Sequence, residues 1–268
     1  MIYTVIARTD VISKYFRSWD CSTEQPLNLI KVSSDGDEIR ISPDIINYIN
    51  VTGNEKTKKE RISAYTSLFF SLDTLFNIKP SEILRTEFSK PYIRENIFFS
   101  ISHADDLTAV SLSDDMEVGV DIQWLISAER GKKIENRFLS DFEYYEKKFD
   151  ISYLYLTVDK DERLTFIPFA DFSDKPNIRE VLNGQEENIE GKIEDNVLTL
   201  YDNEKHDDTS FTKKWTAAEA MLKLHGGGLS DLKMIADVSK TSSCNFKFIK
   251  LGEKKYVLAN AIYKNNYQ

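Results

Sequence analysis

Residues 215–223 read Trp215-Thr216-Ala217-Ala218-Glu219-Ala220-Met221-Leu222-Lys223. They fall inside a helix predicted over about Thr212–Leu224, which stops at Gly226-Gly227-Gly228, where glycine supplies the backbone freedom a helix C-terminus often uses. Trp215, Glu219, Leu222 and Lys223 share one helical stripe, so an acid and a base stand beside apolar side chains. The plain reading is a helix salt bridge, since Glu four residues before Lys is the favourable orientation, worth about 0.3 kcal/mol. Further upstream, Gly119-Val120-Asp121-Ile122-Gln123 reads as a strand. Side chains two apart on a strand share a face, so Asp121 and Gln123 present two oxygens side by side. Mg²⁺ typically takes one or two carboxylates and leaves its other positions to water and substrate phosphates, although a lone Asp at the end of a strand is more often a turn or surface residue. Before this comes Phe99-Ser100-Ile101-Ser102-His103, with Ser89-Lys90-Pro91-Tyr92 upstream. A histidine there could bind a phosphate, take a proton or close a turn. With three His in the chain (His103, His206, His225), the supply argues against a zinc site of His and Cys.

Around these segments the spacing alternates between strand and helix. Ile2 to Ala7 reads as an opening strand, and Leu27–Ser33 with Glu38–Ile41 as a hairpin around Asp35-Gly36-Asp37. From Thr57 to about Asn77, Ile62, Tyr65, Phe69, Leu72 and Phe76 recur at three or four, marking one buried face of a long helix. Lys58, Lys59 and Arg61 crowd its first turns. Bases there oppose the macrodipole and suit a ligand or a partner, against the alternative of a merely solvated helix start. Thr108–Ser113 and Glu117–Gln123 read as strands joined by a turn at Asp114-Asp115. A helix over roughly 128–138 is followed by a second running towards Phe149 from the capping box Ser140-Asp141-Phe142-Glu143. Tyr153–Val158 and Arg163–Phe169 flank Asp159-Lys160-Asp161-Glu162 as a hairpin would, and Asn188–Ile193 and Val197–Tyr201 form a similar pair. Residues 151–208 thus read as an inserted set of acidic β-hairpins, with a disordered acidic loop as the competing reading. Asn245–Leu251 and Tyr256–Tyr263 close the chain as a hairpin across Gly252-Glu253.

At roughly 150 residues per domain, 268 residues make one large or two modest domains, and 41% hydrophobic residues fill a sizeable core. The net charge of −9 argues against wrapping nucleic acid. It is local: residues 159–208 hold 15 acids and 6 bases, whereas 209–268 hold 10 bases and 4 acids. Cys21 and Cys244 make no disulfide framework, so a reducing, cytoplasmic setting is the default. The first residues lack the features of a signal peptide, and no apolar stretch approaches the roughly 18 residues of a membrane span. The expectation is a soluble protein with no nucleic-acid and no membrane partner.

The order of the segments is more specific than any one of them. Arg61, Ser89-Lys90-Pro91, Phe99-Ser100-Ile101-Ser102-His103, Gly119-Val120-Asp121-Ile122-Gln123 and Trp215 to Lys223 follow one another in a way that resembles the Sfp-type 4′-phosphopantetheinyl transferases. That family shows GKP, F-x-ISHS, G(I/V)D(I/V)E and W-x-x-KE-x-x-x-K, then a glycine-containing turn and Leu, matched by Gly228-Leu229. Arg137-Phe138-Leu139-Ser140 with Glu143-Tyr144 is similar to its RFF-S-x-x-E-Y segment. The resemblance covers about Lys58–Phe149 and Thr212–Ser230; residues 151–208 lie outside it.

The resemblance implies an α+β fold of two similar α/β halves, a pseudo-dimer, over 1–117 and 118–268, with the acidic β-hairpin insertion 151–208 in the second half. It implies transfer of the 4′-phosphopantetheine group of coenzyme A to a serine of an acyl or peptidyl carrier protein, releasing 3′,5′-ADP, by a Mg²⁺-dependent holo-[acyl-carrier-protein] synthase. Asp121 and Glu219 look like its metal ligands, with Gln123 at the position of a third. Glu219 is also the candidate proton acceptor, and Lys223 looks like the lysine near the reacting pyrophosphate. His103 and Arg61 match residues contacting the 3′-phosphate of coenzyme A, and Lys90 and Ser102 match positions along the nucleotide and its phosphates. One chain supplies both sides of such a cleft, which favours a monomer. Two departures stand out: Gln123 is neutral where the family is often acidic, and Ala218 stands where it usually has Lys. They motivate the alternative of a weak or inactive homologue that binds coenzyme A or a carrier domain without transfer.

Overall fold

Along Ile2–Arg8 the side chains alternate between two faces, and both faces are buried: Val5 and Ala7 enter one core cluster and Ile6 another. A strand covered on both sides sits inside a layered structure, and the computed structural model of the chain shows the layers. It describes residues 1–15, 29–31, 38–40, 43–51, 54–79, 83–86, 90–159, 161, 163–169, 198–201 and 209–264. In chain order the elements are β1 (Ile2–Arg8), α1 (Thr9–Tyr15), β2 (Leu29–Lys31), β3 (Glu38–Arg40), α2 (Pro43–Asn50), α3 (Glu55–Phe76), β4 (Leu84–Arg85), β5 (Pro91–Tyr92), β6 (Phe98–Ala104), β7 (Leu107–Ser113) and β8 (Gly119–Trp124). They continue with α4 (Ala128–Phe138), β9 (Ile151–Val158), β10 (Leu164–Pro168), β11 (Leu198–Tyr201), α5 (Thr209–His225), a 3-10 turn (Leu229–Met234), α6 (Ile235–Thr241), β12 (Ser242–Leu251) and β13 (Lys254–Tyr263).

The strands form a five-stranded sheet, β10-β9-β1-β7-β6, a four-stranded sheet, β11-β12-β13-β8, and two small ribbons, β2-β3 and β4-β5. All pairs are antiparallel except β1 with β9. Tyr65, Leu68, Phe69 and Leu72 of α3 pack on Val5, Val110 and Leu112, covering one face of the larger sheet. Its other face, with Ile6, Leu107 and Ala109, meets Ile249, Tyr256 and Leu258 of the smaller sheet. Beyond that, Ala217, Ala220, Met221 and Leu224 of α5 close over Phe246, Val257 and Ala259. The fold is therefore α+β, layered helix, sheet, sheet, helix. Between the sheets the Thr4 and Ser111 hydroxyls lie 2.7 Å from each other and 2.8 and 2.5 Å from Asn260 Oδ1, so their two protons are shared among these three contacts. Buried polar groups persist where they find such partners, and these fix how one sheet sits on the other.

The long helix is present, capped by Asn54, whose side chain accepts from the Lys56 amide at 2.9 Å, and by Asn77 at φ 54°. Instead of one buried face, every side chain from Ser63 to Leu72 is buried. The helix runs between the sheet and α1 and α2. Its buried hydroxyls are satisfied locally: Thr66 and Ser67 each donate to a carbonyl four residues back, at 2.8 Å.

Two expected connections are corrected. Asp114-Asp115 makes no hairpin, because β7 pairs with β1 and β6 whereas β8 pairs with β13; the segment carries the chain from one sheet to the other. Its two carboxylates bind the N-terminal ammonium at 2.8 and 3.2 Å. The second helix from Ser140 is absent, and residues 145–147 instead run beside β12. The Cys244 amide donates to Tyr145 O at 2.9 Å, and the Lys147 amide donates to Cys244 O at 2.9 Å. Phe142 and Tyr144, two apart, both pack inward, the Tyr144 ring 5.4 Å from that of Phe246. Tertiary burial at strand spacing here outweighs the capping-box letters.

β9 and β10 pair as a hairpin, with the Asp159 carboxylate accepting from the Asp161 and Arg163 amides at 2.8 and 2.9 Å. The hairpin joins the larger sheet through β1, while β11 joins the smaller one through Phe248–Leu251 of β12. The expected strand 188–193 and its turn lie outside the described residues. No helix among the described residues is long and apolar enough to cross a membrane.

Candidate functional site

The two sheets meet at their edge strands, β6 and β8. Ser100 and Ser102 point from β6 towards β8, where the Val120 amide donates to Ser100 Oγ at 3.0 Å and the Ile122 amide to Ser102 Oγ at 3.3 Å. Serine hydroxyls thus satisfy edge amides that would otherwise be orphaned in a buried joint.

Between those amides Asp121 projects towards α5. A Cβ on Gly119 would stand 2.1 Å from the Ala220 carbonyl oxygen and 2.7 Å from the Leu224 nitrogen. Only glycine lets helix and strand come this close, and that approach lays Glu219 and Lys223 over Asp121. Lys223 Nζ donates to Asp121 Oδ1 at 2.6 Å and to Ser102 Oγ at 2.9 Å, and Ser102 donates to Asp121 Oδ1 at 2.7 Å. Lys223 therefore reaches across to the strand for its ion pair. Asp121 is 2% exposed, and its Oδ2 has no N–H or hydroxyl donor among the described residues. Burial first, and the neighbouring Asp121 charge second, push the Glu219 carboxyl up to about 8, a hydrogen bond between the two carboxyl groups adding to the effect against the opposing pull of Lys223 and Trp215.

Helix α5 ends in the glycine turn read from the sequence. Gly226 adopts φ 95°, and the Gly226 and Gly227 amides return to the carbonyls of Lys223 and Leu222 at 3.2 and 2.8 Å. Lys90 Nζ donates to the Leu224 carbonyl at 3.1 Å and pairs with Glu117. Between them opens a cleft of roughly 410 Å³, lined among others by Lys90, Phe99, Lys223, Gly227 and Asp231. His103 lies at the end of β6, its Nδ1 3.5 Å from Glu60 Oε2. Burial and then the positive charge of Lys223 hold its basicity below the ordinary value, and Arg61 and Lys56 act in the same direction. Arg61 stacks over Tyr48 at 4.0 Å and donates to its carbonyl oxygen.

Of the residues singled out by sequence, Ser102, Asp121, Glu219 and Lys223 form one cluster, Lys90 joins it through the end of α5, and His103 lies next along β6. Arg61 belongs to the Tyr48 group. Gln123 is partly exposed, two residues beyond Asp121 on the same strand. Ala218 is fully buried in the core beneath α5. Ser100, Glu60 and Glu117 carry no site role in the sequence reading; for Ser100 the available signal is its alternation with Ser102 on one strand face.

Among the described residues no group of three or more His, Cys, Asp and Glu converges. The pair Asp121 and Glu219 nevertheless suits a divalent cation: Asp121 Oδ2 is buried with no N–H or hydroxyl donor among the described residues, and burial beside the Asp121 charge holds on Glu219 a proton that a cation would displace. Oxygen donors on two carboxylates are the ligand type Mg²⁺ favours. Compared with known proteins, the chain matches no protein-family model and no curated sequence.

Proposed function

We propose that this protein is a Mg²⁺-dependent 4′-phosphopantetheinyl transferase, modifying a serine of an acyl or peptidyl carrier protein at the expense of coenzyme A. The observation that carries the reading is the Asp121, Glu219 and Lys223 cluster, with its buried Asp121 Oδ2, joined through Lys223 to a cleft that the glycine turn also lines. Asp121 and Glu219 would hold the metal, with the neutral oxygen of Gln123 as a third donor. Bound there, Mg²⁺ neutralises charge on the pyrophosphate oxygens.

The remaining work falls to the chain. Lys90 and Lys223 line the cleft and place positive charge on a bound pyrophosphate. His103 and Arg61 offer donors to a 3′-phosphate. Glu219 holds a proton in the empty site; with that proton displaced by a bound cation, its carboxylate would take the proton of the attacking serine as the serine oxygen reaches the β-phosphorus and 3′,5′-ADP departs. Each sheet carries one helix, α3 on the larger and α5 on the smaller, although the larger sheet takes β9 and β10 from the second half, so the 117/118 boundary does not divide the sheets; the protein would act as a cytoplasmic monomer.

Incubating the protein with coenzyme A, Mg²⁺ and a panel of apo carriers tests this by mass spectrometry. One phosphopantetheine added to the carrier serine supports transfer; no addition to any carrier, despite coenzyme A binding, favours a binding protein. Gln123 and Ala218 motivate that second reading. Ala218→Lys is a poor probe because the site is core, so Gln123→Glu is the variant to compare: transfer appearing only there would favour binding without catalysis in the natural chain.

A further inference from the structure

A serine hydroxyl has one donor and two acceptor positions, and in Ser102 all three are taken. It donates to Asp121 Oδ1 at 2.7 Å and accepts from Lys223 Nζ at 2.9 Å and from the Ile122 amide at 3.3 Å. The residue is 4% exposed. A hydroxyl so engaged has no bond left for a phosphate oxygen. The nucleotide contact expected of Ser102 is therefore at odds with its surroundings, which are made by the protein itself.

We propose that Ser102 is a positioning residue for the metal site. It fixes the rotation of the Asp121 carboxylate, committing Oδ1 to Ser102 and Lys223 and leaving Oδ2, which has no N–H or hydroxyl donor among the described residues, as the oxygen a cation would take in place of the Glu219 proton. It does so from β6, so the ligand on one sheet is set by the edge of the other, and the joint between the sheets is part of the site. This role rests on the transferase reading above. Ser100 supplies a matched comparison: it receives the Val120 amide at 3.0 Å, the same kind of edge bond, with none to Asp121 among the described residues.

The test is Mn²⁺ binding to the full-length protein alone, without coenzyme A, followed by electron paramagnetic resonance, with amide exchange at Val120 and Ile122 measured in parallel. Ser102→Ala is expected to weaken Mn²⁺ binding by about 10- to 100-fold, the usual cost of losing a group that orients a metal ligand. Ser100→Ala is expected to leave it unchanged, although each variant speeds exchange at its own amide partner. Should Ser102→Ala not fold, Ser102→Cys, of similar shape but a weak donor, is read in its place. Unchanged Mn²⁺ affinity in the Ser102 variant overturns the role, and so does an equal loss in both serine variants, because a structural joint alone would explain it. A wild-type protein that binds no Mn²⁺, alone or with coenzyme A added, removes the transferase reading and this role with it.

Discussion

Glu219 gives the site its pH signature. A carboxyl raised from its ordinary value of 4.5 to about 8 keeps its proton in the fold after the unfolded chain has released it. The stability from that proton is fully present below 4.5 and is lost as pH rises through about 8. The melting temperature of the metal-free protein is therefore expected to fall across that window, and Glu219→Gln is expected to flatten the slope. A wild-type profile with no slope there would contradict the assignment. Mg²⁺ competes with the same proton, so it should raise the melting temperature more above pH about 8 than below pH about 6; an equal rise at both would contradict a site built on Glu219. In the transfer assay Glu219→Gln is expected to cost at least about 100-fold in kcat, the scale of losing a general base.

At the scale of elements, the contact of α5 with β8 carries the site, and Gly119 is its narrowest point. Gly119→Ala is expected to destabilise the protein by about 1–3 kcal/mol, the range for forcing an extra group into a packed interface, and to abolish Mn²⁺ binding by displacing Glu219 and Lys223. Urea unfolding with parallel Mn²⁺ titration checks both, and an Ala variant with native stability and affinity would contradict the close approach. The helices at this interface were legible because periodicity and the Gly226 stop report local geometry. What Lys223 pairs with was not: an i, i+4 partner is visible in sequence, whereas Asp121 lies 102 residues away. The turn at Asp114-Asp115 failed for a related reason. Adjacent strands usually pair, yet here each finds its neighbour elsewhere and the link crosses between sheets. The all-round burial of α3 was hidden because Ser63, Thr66 and Ser67 look solvent-facing, while their hydroxyls bond within the cluster around the helix.

At the scale of the molecule, sheet order places the described strands that flank the acidic stretch relative to the site. The site sits where β6 meets β8, whereas β9 and β10 extend the opposite edge of the larger sheet and β11 the opposite edge of the smaller. Residues 171–196 lie outside the described residues; if the flanking strands carry them away from the site, replacing them by a short Gly/Ser linker is expected to leave transfer within a few-fold of wild type, and an order-of-magnitude loss would contradict that expectation. On the transferase proposal, the basic C-terminal 60 residues would favour encounter with an acidic carrier, so the transfer rate should fall as salt rises, and a flat response would remove the charge argument. The charge imbalance noted in the sequence thus belongs to a region whose described strands stand across both sheets from the chemistry. The most direct test of the central claim is the release of 3′,5′-ADP from coenzyme A in the presence of an apo carrier and Mg²⁺. One 3′,5′-ADP per carrier serine modified is predicted, with none from Asp121→Ala; full modification by Asp121→Ala, or none by the wild-type protein on any carrier, would contradict it.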